Sequence, residues 1–285
     1  MPCLAARLVR NVTIPNGEIL PPSLPFTKIW RIQNVGSCTW DTSVQMVPVS
    51  GDSMGGTRFH ISSKVKPGKT VEIAASLMSP AINGGYTGYW KLQYKSQKFG
   101  DGNNPFKVRI NVVTGAHGTI FNFAEDCSEA TWNSNATERN LPCPGKPGAR
   151  IGFVVRLNQP DMENGSFAQW GIWTHPPLRD GGEIWGAYPA LIIQPGDRFM
   201  AELACLYNYT QCNVSFDLYY QIVGASDKVL LGHWVEVYDN VTTMVDIDLS
   251  ALVNQYITFF LKVTGHGQHS EHNAAFWFMP RIHRP

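Results

Sequence analysis

The stretch FTKIWRIQNVGSCTW, running from Phe26 to Trp40, decides the fold of this chain. Phe26, Lys28, Trp30 and Ile32 point one way and Thr27, Ile29, Arg31 and Gln33 the other, the period of two of a half-buried strand. Asn34, Val35 and Gly36 then supply a turn, after which Cys38, Thr39 and Trp40 bring a second tryptophan back towards the first. Two tryptophans this close, anchored by a cysteine, build a core and name no reaction.

The alternation continues on the C-terminal side. Val71, Ile73, Ala75 and Leu77 follow a turn at Lys66–Lys69, and Tyr86, Gly88, Trp90, Leu92 and Tyr94 follow another at Asn83–Gly85. Phe106, Val108, Ile110 and Val112 complete the unit. Regular strands separated by short turns predict an antiparallel sandwich.

The succession FTKxWRxxNVGSCTW, SGDxMGG, VxPGxTVxI and GxYxGYWxL, with FG before a last strand, resembles the four-tryptophan immunoglobulin-like domain. That domain occurs in selective-autophagy cargo receptors and in secreted proteins of filamentous Chloroflexota-type bacteria. The resemblance covers about residues 3–113. Trp30, Trp40 and Trp90 match three signature tryptophans, and Phe106 stands where the fourth is expected. It implies a protein–protein interaction module without catalytic residues. In the bacterial variant an early cysteine accompanies the one in GSCTW, which supports pairing Cys3 with Cys38.

Residues 114–118, TGAHG, break the strand and read as a linker. A long stretch without strand pattern follows, Ala124–Arg150, which a Cys127–Cys143 bridge would tie down. Strands are then expected at 151–157, 169–174, 184–193, 198–206, 213–222, 229–237, 242–247, 256–263 and 274–282. Asp248 is expected to cap one helical turn at 248–252. The near absence of helical period predicts a jelly-roll-like two-sheet sandwich. The run VDIDLSALVNQYITFFLKV, a loop and FWFMPRI is similar to the last strands of galactose-binding-like sandwiches. The fold expected is therefore all-β: two disulfide-tied β-sandwiches in tandem, immunoglobulin-like over 1–113 and jelly-roll-like over 119–285.

Six cysteines fall as Cys3 and Cys38, Cys127 and Cys143, and Cys205 and Cys212, with no CxxC or zinc spacing. Paired within local segments, they imply three disulfides and an oxidising compartment. The opening MPCLAARLVR is too short for a signal peptide, leaving a cytoplasmic chain or a mature form, and the cysteines favour the second. No apolar run reaches the ~18 residues of a membrane span. Asn-x-Ser/Thr sequons begin at Asn11, Asn135, Asn164, Asn208, Asn213 and Asn240, as on a glycosylated surface protein.

Three constellations bear on chemistry. Gly51, Asp52, Ser53, Met54 and Gly55 fit G-x-S-x-G, but between strands of a β unit, without a following helix, this is a turn and not a nucleophile elbow. His266, His269 and His272, with Glu271, are candidate ligands for a transition metal, against the plainer reading of a solvated loop. Trp170, Trp173, Trp185 and Tyr188 are candidate stacking faces for a glycan, with Arg179, Asp180 and Glu183 nearby to bond hydroxyls. Trp170 and Trp173, three apart, face opposite sides of their strand.

The net charge of +1 conceals an asymmetry. Residues 1–113 carry 13 Lys and Arg against 5 Asp and Glu, net +8, and residues 114–285 carry 10 against 17, net −7. No cofactor, no catalytic residue and no nucleic-acid partner is expected; the modest basic face suits an acidic partner better. The sequence points to an extracellular or cell-surface, non-enzymatic protein that is structural or adhesive. Protein–protein contacts, including head-to-tail self-assembly of basic on acidic halves, form the leading reading, and glycan binding the alternative.

Overall fold

A computed structural model describes residues 2–166 and 169–285. The chain divides into two compact units, Met1–Ala116 and His117–Pro285. The first strand of the second unit begins at Gly118, inside the stretch expected as a linker, and Ala116 is buried.

The first unit contains β1 (Ala6–Asn11), β2 (Glu18–Leu20), β3 (Pro25–Asn34), β4 (Gln45–Gly51) and β5 (Phe59–His60). It continues with β6 (Thr70–Met78), β7 (Gly84–Tyr94), β8 (Gln97–Phe99) and β9 (Phe106–Val112). One sheet runs β1-β3-β6 and the other β2-β9-β7-β4-β5, with β8 hydrogen-bonded to β7. The alternation of 26–33 is realised in β3, where Phe26, Lys28, Trp30 and Ile32 are all buried. Trp30 meets Trp90 of the opposite sheet with ring centroids 6.2 Å apart, and its Nε1–H donates to the Lys107 carbonyl at 3.2 Å. Trp40 does not return to Trp30 as expected. Its ring partner is Phe99 at 5.5 Å, because β8 folds back beside β7 and fills that end of the core. Phe106 is buried in the same core.

Lys28 is the exception among the inward residues. Its side chain is fully buried, and Nζ donates to the carbonyls of Thr13 at 3.0 Å and Ile14 at 2.5 Å. A buried ammonium needs such acceptors, and here they come from the chain between β1 and β2. The cation thus ties the β3 face to that connection.

The second unit contains β10 (Gly118–Asn122), β11 (Thr131–Ser134), β12 (Thr137–Leu141), β13 (Phe153–Asn158), β14 (Trp170–His175), β15 (Glu183–Ala187) and β16 (Leu191–Ile192). It ends with β17 (Arg198–Cys205), β18 (Asn213–Ile222), β19 (Val229–Val237), β20 (Thr243–Asp248), β21 (Tyr256–Gly265) and β22 (Ala275–Arg284). One sheet runs β13-β14-β22-β17-β20, with β10 on β22; the other runs β12-β11-β15-β21-β18-β19, with β16 on β21. Between them lies one core containing Phe123, Trp132, Tyr188, Phe199, Phe216, Phe259 and Trp277. The structure is all-β, two sandwiches in tandem.

Two local expectations are corrected. The segment 124–150 is not irregular throughout, for β11 and β12 form a hairpin within it whose polar Thr137–Asn140 hid the strand. The expected strand 184–193 is two pieces, β15 and β16, which pair with successive parts of β21. A 3-10 turn occupies Ser250–Leu252, and Asp248 Oδ1 accepts the Ser250 N–H at 2.9 Å. The three disulfides are Cys3–Cys38, Cys127–Cys143 and Cys205–Cys212. Among the described residues no helix is long and apolar enough to cross a membrane.

Candidate functional site

The strand alternation of the second unit determines which side chains share its outer face. In β18, Val214, Phe216 and Leu218 enter the core, so Ser215, Asp217 and Tyr219 face outwards. In β21 the core takes Ile257, Phe259, Leu261 and Val263, leaving Phe260, Lys262 and Thr264 outside. Ile184 points inwards from β15, leaving Glu183, Trp185 and Ala187 outside. Gly186 shares the inward side with Ile184, where a Cβ would come within 2.7 Å of the core Trp132 ring.

Register then aligns these residues. Asn133, Trp185, Lys262, Asp217 and His233 are successive cross-strand partners over five strands. In the next outward row Ala187, Phe260 and Tyr219 are partners. Cross-strand neighbours about 5 Å apart make direct side-chain contact.

Among these rows Trp185, Lys262, Phe260 and Tyr219, with Glu183 and Lys228, line a groove of about 240 Å³. The Lys262 ammonium lies 2.6 Å from Glu183 Oε1 and 4.0 Å from Asp217 Oδ2. Asp217 is buried beneath it and its Oδ1 is 2.6 Å from His233 Nδ1. The Lys228 ammonium stands over the Phe260 ring, 4.2 Å from its centroid. Trp185 and Tyr219 are half-buried, so each offers part of its ring to the groove. Flat aromatic surface beside fixed charged and hydroxyl groups is the chemistry that holds a polar ring by stacking and hydrogen bonds.

Only Trp185 of the four expected stacking residues lies in this groove. Tyr188 is corrected to a core residue: it is 1% exposed and its hydroxyl donates to the Phe123 carbonyl at 2.8 Å. Burial pushes that phenol well above its usual range. Trp170 and Trp173 do face opposite sides. Trp170 packs against the main core, and Trp173, on the opposite face of the same strand, lies against Phe153, 4.8 Å away, and Tyr209, 5.8 Å away. Tyr219, Phe260, Lys228, Lys262, Asp217 and His233 were not singled out from sequence. The alternation of 213–222 and 256–263 places Asp217, Tyr219, Phe260 and Lys262 outwards, but nothing local brings the two strands together.

The histidine metal site is also corrected. His266 Nε2 is 3.0 Å from Ser215 Oγ, His269 Nδ1 is 3.7 Å from Glu271 Oε1, and the His272 ring packs against Tyr209. The His269 and His272 rings, at either end of the 3-10 turn Ser270–His272, meet edge to face with centroids 6.4 Å apart, yet among the described residues no three His, Cys, Asp or Glu side chains group to hold a metal ion. Of the sequons, Asn11 is buried at 7% exposure, which keeps its amide from a glycosylating enzyme. Asn135, Asn164, Asn208 and Asn240 are exposed and Asn213 is half-buried. The Asn135 side chain is already engaged, donating to the Gly181 carbonyl and accepting the Glu183 N–H.

Two buried carboxylates lie elsewhere in this unit. Glu163 accepts the N–H groups of Cys205, Asp239 and Asn240, fastening the loop between β19 and β20 to the end of β17. Burial pushes the Glu236 carboxyl up to about 7; a Thr243 bond opposes this, and the charges of Glu163 and Asp239 add to it. The Glu163 bonds hold the loop, and Glu236 meets the Thr243 side chain of β20.

In the first unit the turn at Gly51–Gly55 lies between β4 and β5, with Asp52 Oδ1 accepting the Met54 N–H at 2.7 Å. Met54 sits at φ 51° and its carbonyl accepts the Met78 N–H. Gly56 follows where a Cβ would lie 2.6 Å from the Trp90 ring and 2.5 Å from Leu77. The SGDxMGG motif thus seats a turn on the buried Trp90, and Ser53 belongs to that turn.

Residues 13–113 match the family model described as the Ig-like domain from next to BRCA1 gene. Relatives carry the same kind of sequence. Protein ILRUN of Danio rerio is 38% identical over 84 residues, 30% of this chain and 30% of its own length. The NBR1 homolog of Arabidopsis thaliana is 31% identical over 143 residues, 45% of this chain and 20% of its own. The human next to BRCA1 gene 1 protein is 30% identical over 103 residues, 35% of this chain and 11% of its own. The chain thus spans less than a third of the length of these relatives. A solved structure of carbohydrate-binding modules from the β-sandwich superfamily aligns with 99% of this chain and 99% of its own. Its identity is 10% and its TM-score 0.33, below the level at which a likeness of fold can be drawn. The Ig-like match therefore falls within the first unit, and the groove lies outside the matched residues.

Proposed function

We propose that this is a non-catalytic, extracellular binding protein whose second unit holds a saccharide in the groove of Trp185, Tyr219 and Phe260. The observation that carries this is the outward row Trp185, Lys262, Asp217 and His233 beside the row of Phe260 and Tyr219 on the same face. Aromatic faces bind the apolar side of a sugar ring, and the fixed polar groups select its hydroxyls. Three disulfides support export, since such bonds persist in oxidising compartments. The Ig-like first unit supports a role in protein contacts, so the chain would join a glycan to a protein partner.

A glycan array probed with the wild-type protein and with Trp185→Ala tests this reading. Binding to a defined set of glycans, lost in the variant with the fold retained, is the expected result. A wild-type protein that binds no glycan, or a Trp185→Ala protein that binds equally well, overturns it.

Head-to-tail self-assembly is favoured by one separate observation, the net +8 of residues 1–113 against the net −7 of residues 114–285. Light scattering across a salt series tests it. Particles that grow at low salt and disperse at high salt are expected, and a monomer throughout removes the idea.

A further inference from the structure

We propose that the ligand of this groove is an acidic saccharide whose carboxylate pairs with the Lys228 ammonium. The inference rests on the glycan-binding reading above and narrows it to one chemical class.

The argument begins with which charges of the groove are already answered. Lys262 is held between Glu183 and Asp217, at 2.6 and 4.0 Å, and Asp217 is shared with His233. These groups satisfy one another, so Lys262 serves to fix the two carboxylates and has little left to offer a ligand anion. Lys228 is different. Its side chain is exposed, and among the described residues no carboxylate stands within ion-pair distance of its ammonium. The adjacent Asp227 carboxylate accepts instead from Ser226 Oγ at 2.9 Å.

The position of Lys228 is nonetheless fixed. Tyr219 and Phe260 are cross-strand partners, and Tyr220 pairs with Val229, so the residue before β19 arrives above the Phe260 ring. Phe260 is only 7% exposed, which makes a firm floor beneath the cation. A cation over an aromatic face is located by the ring while its N–H donors stay directed at solvent. The groove therefore presents one oriented, unanswered positive charge beside two half-exposed rings. A neutral sugar would use the rings and leave this charge alone. A uronic acid, with a carboxylate on the ring carbon next to the ring oxygen, engages both.

The test uses the whole chain and a panel of acidic polysaccharides: polygalacturonate, alginate, glucuronoxylan and hyaluronate. Each is measured beside its carboxyl-reduced counterpart, which keeps the backbone and removes the charge. Affinity for wild type, Lys228→Gln and Trp185→Ala is read by calorimetry at low and high salt. The expected result is binding to at least one acidic polymer, about tenfold weaker after carboxyl reduction, after Lys228→Gln and at high salt. Equal binding of the reduced polymer, or Lys228→Gln without effect while Trp185→Ala abolishes binding, overturns the acidic specificity and leaves the glycan reading standing. No binding to any polymer of either set, or binding indifferent to Trp185→Ala, overturns both. Lys228 is exposed and lies before its strand, so its substitution leaves the fold intact, which a circular dichroism spectrum checks.

Discussion

Trp185 and Lys262 are directly opposed on adjacent antiparallel strands, and Lys262 is in turn opposed by Asp217. This pairing makes the groove a mixed surface, an aromatic face whose flank is a fixed ion pair. The two residues serve separate purposes, and substitution separates them. Trp185→Ala is expected to weaken saccharide binding about tenfold or more, roughly 1.4 kcal/mol or more, with thermal stability nearly unchanged. Lys262→Met leaves Glu183 and Asp217 without their cation. It is expected to weaken an acidic ligand by repulsion while costing the fold about 1 kcal/mol or less, because the pair is partly exposed. Calorimetry and a thermal melt on each variant check both statements.

Glu236 gives the second unit a pH dependence of known sign. Its carboxyl is raised to about 7 in the folded protein against an ordinary 4.5, chiefly by burial. Between those values the folded state holds a proton that the unfolded chain has released, so stability falls as pH rises through this window. Glu163, also raised by burial, acts in the same direction. His175, lowered by burial, acts oppositely, losing stability as pH falls below its ordinary 6.5. Glu236→Gln is therefore expected to raise the urea midpoint at pH 8 relative to wild type. The difference should vanish towards pH 5. An unchanged difference at both pH values would show that Glu236 does not titrate in this window.

Lys28 lies on the inward face of β3 with its ammonium on two backbone carbonyls. Lys28→Ala removes the donor from buried acceptors and leaves a void beside Trp30. A loss of about 2–4 kcal/mol is expected from the two effects together. Chemical denaturation followed by tryptophan fluorescence measures it. Lys28→Met, which fills the void but not the carbonyls, should recover part of the loss.

The disulfides differ in the loop each closes. Cys3–Cys38 spans 35 residues of sequence separation and Cys205–Cys212 only 7. Loop-closure entropy makes the first worth about 4 kcal/mol and the second about 2.5 kcal/mol. Replacing each pair by serine should lower stability in that order. Denaturation curves of the two double variants decide it, and peptide mapping without reduction checks the pairings.

Much of this was legible along the chain. The alternation in Phe26–Gln33 gave β3, and Phe106–Val112 and Asn213–Ile222 gave their strands because inside and outside residues alternate locally. Local pairing of the cysteines carried the bridges, with the resemblance supporting Cys3–Cys38. The hairpin of β11 and β12 escaped because its second strand is polar on both faces, and Trp40 was placed on the wrong partner because Phe99 lies 59 residues further on. Tyr188 carried no local mark of burial, since an aromatic reads alike on either side of a sheet.

By itself the sequence determined the all-β architecture, the Ig-like resemblance over about residues 3–113, the disulfides and the charge asymmetry. The architecture follows from periods within short segments, the disulfides from local cysteine pairing and, for Cys3–Cys38, the resemblance, and the Ig-like character from the resemblance its motifs carry. Only the tertiary structure decided that Trp185 faces a groove while Tyr188 fills the core. It also assembled Glu183, Asp217, Lys228, Phe260 and Lys262 around one space. The physical reason is register: those residues come from strands far apart in the chain, and neighbourhood across a sheet is set by which hydrogen bonds form between strands.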